Sequence, residues 1–178
     1  MKIQKLIANV LVLTLTALAL SASTAPLPRK SPDFTIYEPS GKQTQLSSLR
    51  GKVVVIEFFF LRSPKCLDLV NTLNRLNAQL GSRGLQPLAI AFAAPGSDAN
   101  GPLVTQMVDY FKITYPVGYT NKEKVDEYLG RSGEELLRIP QVVVIDRTGM
   151  IRAQSGGRNG NVQLENEDYL RTLLESLL

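Results

Sequence analysis

Residues 53–60, Val-Val-Val-Ile-Glu-Phe-Phe-Phe, form an almost unbroken apolar run of β-branched and aromatic side chains. A run this short and this apolar predicts a central strand covered on both faces. From Lys65 onward, Leu69, Leu73, Leu76 and Leu80 recur at helical spacing with Cys66 and Val70 beside them, and Gly81 and Gly84 end the pattern. Residues 88–92, Leu-Ala-Ile-Ala-Phe, predict a second buried strand, so the connection is a right-handed parallel crossover. A loop is expected at 94–102. A helix follows over 103–111, with Val104, Met107, Val108 and Phe111 on one face, and a short charged helix over 122–129. The strand expected at 141–145 follows Ile139-Pro140 and turns at 146–149 into a partner at 150–154. An amphipathic helix over 167–178 closes the chain, with Tyr169, Leu170, Leu173, Leu174 and Leu177 as its core side. Short edge strands at 33–37 and 115–119 and a hairpin return at 43–46 complete the pattern. The order β-α-β-α-β-β-α predicts an α/β sandwich on a mixed sheet.

The N-terminus has a different pattern. Lys2 and Lys5 precede an apolar run over 6–20 that only Asn9, Thr14 and Thr16 interrupt, and small residues follow at 21–25. That order predicts a secretory signal peptide over 1–25. The run is short for a membrane span, so a membrane is expected to matter only if the signal stays uncleaved. Residues 26–32 carry three prolines and predict an extended linker, leaving 33–178 as one domain. Export implies a periplasmic or secreted location.

Charge and composition narrow the chemistry. Loss of Lys2 and Lys5 leaves 18 basic against 16 acidic residues, and no basic cluster interleaves with aromatics, so nucleic acid is not an expected partner. The chain has no histidine, which excludes Ser-His-Asp and Cys-His catalysis and histidine metal sites. No phosphate- or dinucleotide-binding glycine motif occurs, and no cofactor or metal is expected. One cysteine, Cys66, is left in a chain bound for an oxidising compartment. It falls in the first turn of the helix after the central strand, where Ser63 is a good N-cap and Pro64 suits the first helical position. Unpaired N–H groups and the helix dipole there favour a thiolate. Cys66 is therefore a reactive thiol or a small apolar filler. Glu57, a lone carboxylate in an apolar strand, either marks a site or pairs with a basic residue at the strand end.

Four stretches, in this order and spacing, resemble one family: Ser31-Pro32-Asp33-Phe34-Thr35, Leu49-Arg50-Gly51-Lys52-Val53-Val54-Val55, Ser63-Pro64-Lys65-Cys66, and residues 138–149 from Arg138-Ile139-Pro140 to Thr148-Gly149. The chain over 31–178 resembles the thioredoxin superfamily, in its TlpA-like and AhpC/TSA (redoxin) branch. The resemblance implies a thioredoxin-like three-layer α/β sandwich, with a central mixed β-sheet and helices on both faces. It implies that Ser63 and Cys66 occupy the two positions of a Cys-x-x-Cys motif, with serine in the first and Arg62 where the family has tryptophan. Pro140 then matches a cis proline beside the redox turn, forming a substrate groove with Ile139, and Glu57 matches a buried acid that assists the second cysteine.

The departure has a direct consequence. The first cysteine of such reductases attacks the substrate disulfide, and a serine hydroxyl does not exchange with disulfides, so dithiol reduction within one chain is excluded. The resemblance implies an exported thiol-disulfide oxidoreductase of the redoxin or antioxidant class, with one thiol at Cys66. Its expected partners are an exported thiol or disulfide protein or a small-molecule thiol. One alternative is a non-catalytic thioredoxin-fold module that binds an extended peptide or protein. Another is a peroxiredoxin-like peroxidase using Cys66, although Phe59 stands where that family has proline, and Pro140 lies where it has a nearby arginine. The helix start and the neighbouring Lys65 and Arg62 act to lower the Cys66 pKa, while burial and Glu57 raise it. The expected balance is a value near or above that of a free thiol.

Overall fold

The computed structural model describes residues 26–93, 99–131, 137–156 and 161–178. The 1–25 leader and most of the loop expected at 94–102 lie outside the described residues. The strands are β1 (Arg29–Lys30), β2 (Thr35–Tyr37), β3 (Gln43–Gln45), β4 (Val53–Phe59), β5 (Leu85–Phe92), β6 (Val117–Thr120), β7 (Gln141–Ile145) and β8 (Met150–Gln154). The α-helices are α1 (Pro64–Leu80), α2 (Gly101–Phe111), α3 (Lys122–Leu129) and α4 (Glu167–Leu177). One sheet has the order β1-β8-β7-β4-β5-β6, and β2 and β3 form a separate hairpin.

β4 is parallel to β5 and antiparallel to β7, which makes the sheet mixed. All seven residues of β4 are buried because helices or the hairpin cover both faces. Alternation divides them. Val54, Ile56 and Phe58 pack with Ile36, Leu46 and α3 residues Val125, Tyr128 and Leu129. Val53, Val55 and Phe59 pack under α1, α2 and α4 with Leu73, Val104, Met107, Leu170 and Leu174. This is a thioredoxin-like three-layer sandwich. Gly118 on β6 is required by close approach: a Cβ there would lie 2.6 Å from Ile36 Cγ2 and 2.9 Å from the Tyr37 carbonyl oxygen, so glycine lets the hairpin close over the sheet edge.

Two expectations change. The 26–32 segment is extended, but Arg29 and Lys30 pair with Ile151 and Met150 of β8 and so extend the sheet. Ser31 is buried, and its hydroxyl lies 2.9 Å from the Tyr128 hydroxyl, so the packed domain begins ahead of residue 33. On α4, Leu170 and Leu174 form the buried stripe, while Tyr169 is exposed. Its side chain accepts a hydrogen bond from Asn161 instead of entering the core.

Candidate functional site

The site is built where β4 hands the chain to α1. The Ser63 N–H donates to the Phe60 carbonyl at 3.1 Å, closing a tight turn, and the Leu67 N–H donates to the Ser63 carbonyl at 3.1 Å to start the helix. Ser63 has the extended backbone of an N-cap and Pro64 takes the first helical turn, yet the serine side chain makes no cap hydrogen bond. Its hydroxyl acts to lower the pKa of the Cys66 thiol. The sequence expectation of a capping Ser63 is thus corrected in part: its backbone is that of an N-cap, but its hydroxyl does not cap the helix.

Cys66 is completely buried and unpaired, within the core layer under α1. Burial pushes its thiol up to about 11. Hydrogen bonds from the Ser63 side chain and the Phe60 backbone act the other way, and the negative charges of Glu57 and Glu165 add to the rise. Burial, not the neighbouring Arg62 and Lys65, decides the state of the thiol.

Glu57 follows the β4 alternation onto the face under α1, between Ala89 of β5 and Val142 of β7. It is fully buried, and among the described residues neither carboxylate oxygen has a hydrogen-bond partner. The expected alternative of a pairing with a basic residue is not realised. Desolvation holds its carboxyl well above the ordinary carboxylate range, so it is protonated where most acids are ionised.

Tyr115 is a third member that the sequence pattern assigned to an edge strand. It precedes β6, is buried, and its hydroxyl donates to the Val70 carbonyl of α1 at 3.1 Å. Burial first, and the Glu57 charge second, push its phenol well above the ordinary range. The loop carrying it is fastened by Asn74: the amide donates to the Lys112 carbonyl at 3.1 Å and accepts from the Thr114 N–H at 3.1 Å. Once ionised, Glu57 thus disfavours the charged forms of both Cys66 and Tyr115.

The Ile139-Pro140 peptide is cis, as the resemblance implied. Pro140 is buried, while half-buried Ile139 packs against both core layers. Arg138 pairs with Glu165 at 3.4 Å, and Glu165 is, after Glu57, the second acid whose charge reaches Cys66. This links the segment carrying Ile139 and Pro140 electrostatically to the thiol. The apolar run gave no sign of Glu165, which sits in the short turn before α4. Among the described residues, no group of three or more acidic, cysteine or histidine side chains is arranged to hold a metal, and no helix is long and apolar enough to cross a membrane.

Known proteins share this architecture. The model of the AhpC/TSA family matches residues 28–154. Thiol-disulfide oxidoreductase ResA from Bacillus thuringiensis (strain Al Hakam), and likewise that from Bacillus anthracis, is 24% identical over 145 residues, covering 82% of this chain and 77% of the relative. Among solved structures, a thiol:disulfide interchange protein of the thioredoxin family from Chlorobium tepidum TLS superposes with a TM-score of 0.68 at 22% identity, covering 85% of this chain and 97% of that one. A thiol:disulfide interchange protein from Bacteroides sp. gives a TM-score of 0.68 at 17% identity, covering 86% and 91%.

Proposed function

The chain belongs to the AhpC/TSA family of the thioredoxin superfamily, and on that premise we propose that it is an exported redoxin-class protein with a single-thiol site at Cys66. Recognition is assigned to the groove at Ile139 and Pro140, which takes an extended segment of an exported thiol or disulfide protein. Cys66 stays dormant beneath the turn. The carrying observation is the complete burial of Cys66, with its thiol pushed up to about 11. At neutral pH such a thiol is almost wholly protonated, and the thiolate is the nucleophile. Binding therefore precedes any thiol chemistry. With Ser63 in the first motif position there is no exposed sulfur to open a substrate disulfide, so conventional dithiol reduction is absent.

A second reading has one observation in its favour. The Ser63 side chain and the Phe60 backbone both act to lower the Cys66 pKa, which favours a thiolate where solvent reaches the sulfur. Cys66 would then attack a disulfide sulfur of an exported protein or small-molecule disulfide. A mixed disulfide forms, the leaving thiolate departs, and an external thiol resolves the product.

Insulin-disulfide reduction with dithiothreitol as reductant tests the site assignment. Wild-type protein is expected to match the uncatalysed rate, and Ser63→Cys to gain measurable turnover. A folded, inactive Ser63→Cys variant would mean that the groove does not admit disulfide substrates. Turnover by the wild type would contradict the dormant thiol.

A further inference from the structure

Gln141 is the first residue of β7 and directly follows the Ile139-Pro140 peptide. The rest of that strand is Val-Val-Val-Ile, and the glutamine lies opposite Phe58 of β4 with no exposed surface. Its side-chain amide donates to the Arg138 carbonyl, while among the described residues its Oε1 has no partner. An orphaned buried acceptor lowers stability, and an apolar residue beside Phe58 would remove that penalty. The feature that glutamine adds is the tie to Arg138. That tie closes the chain from Arg138 to Gln141 on itself, while the Arg138 guanidinium is held from the other side by Glu165. Ile139 lies between the two anchors. Among the described residues its backbone groups pair with no other backbone group, which is what pairing with an extended chain would require.

We propose that Gln141 is a positioning residue for the groove: its buried amide fixes the Arg138 carbonyl and so holds the Ile139 backbone ready to pair with an extended partner segment. This rests on the groove assigned above. A polar residue that lowers stability at a core position is expected where function requires it.

The test is Gln141→Met, which keeps side-chain length and removes the tie. Backbone ¹⁵N relaxation should show the order parameters of Arg138 and Ile139 falling from about 0.85 towards 0.6 or below. The melting temperature should stay equal or rise. Unchanged order parameters would overturn the proposal. So would a fall in melting temperature with loosening throughout β7, because glutamine would then be merely structural. In the Ser63→Cys background with insulin as substrate, Gln141→Met should raise KM several-fold and leave kcat unchanged. An unchanged KM with a loosened loop would separate the loop from binding and also overturn the proposal. An inactive Ser63→Cys parent would count against the groove itself, and the relaxation experiment alone would then decide whether Gln141 fixes the loop.

Discussion

Replacing Glu57 with glutamine should change how stability depends on pH, in a direction set by its burial. The carboxyl is fully buried without a hydrogen-bond partner, and its pKa in the folded protein lies well above the unfolded value. Between those two values the folded state keeps a proton that the unfolded state has lost. Stability from this group is therefore complete below the unfolded pKa and declines as pH rises towards the folded one. One proton corresponds to about 1.4 kcal/mol per pH unit, so each unit within that window should cost the wild type about that much. Asp33, Asp146 and Glu167 have lowered values and act in the opposite sense at low pH. They are common to both proteins, so subtracting the two curves removes them. Urea denaturation of wild type and Glu57→Gln from pH 4 to pH 8, read by circular dichroism, gives the difference directly. The variant should gain on the wild type steadily as pH rises from about 5. A difference that is flat with pH would refute the reasoning, because it would mean that Glu57 ionises as readily folded as unfolded.

Other outcomes are more local. Tyr115→Phe removes the hydrogen bond to the Val70 carbonyl and should destabilise by about 1 kcal/mol or less in thermal unfolding, since that carbonyl keeps its place in the helix ladder. Expression in a secreting host should yield a mature chain lacking about the first 20–25 residues, read by intact mass. Recovery of the full N-terminus in a membrane fraction would point to an uncleaved anchor.

Much of the framework was legible because it depends on periodicity. The bounds of β7 and β8 follow from short apolar runs on either side of the Asp146–Gly149 turn, and α1 from its leucine spacing. Glu57 stood out as a charge within an apolar strand, and its isolation in the structure follows from β4 being covered on both faces. Gln141 carried a similar signal, as a polar residue at the head of Val-Val-Val-Ile, but the role of its amide depends on a chain reversal that periodicity does not encode. Tyr115 and Glu165 were invisible for the same reason. Tyr115 reaches Val70 across 45 residues, and a backbone carbonyl leaves no mark in a sequence. Ser63 has the residue type and backbone of a cap, yet its side chain makes no cap hydrogen bond, which the residue type alone does not reveal. The Arg29–Lys30 pairing is set by the open edge of β8, so a proline-rich segment became part of the sheet.

The dormant thiol is tested most directly by the pH profile of Cys66 reacting with a small aromatic disulfide such as dithiodipyridine, in folded wild-type protein. With its thiol pushed up to about 11, only about one molecule in ten thousand carries the thiolate at pH 7. A free thiol near 8.5 has about 3%. The higher intrinsic nucleophilicity of a more basic thiolate offsets roughly tenfold of that deficit. The reaction at pH 7 should therefore be at least about 30-fold slower than with a free thiol, and slower still for the burial of the sulfur. The logarithm of the rate should rise with unit slope and without a plateau up to about pH 11. Rapid reaction at neutral pH with a plateau below pH 7 would contradict a dormant Cys66 and restore thiol-exchange or peroxidase chemistry as the function of the site.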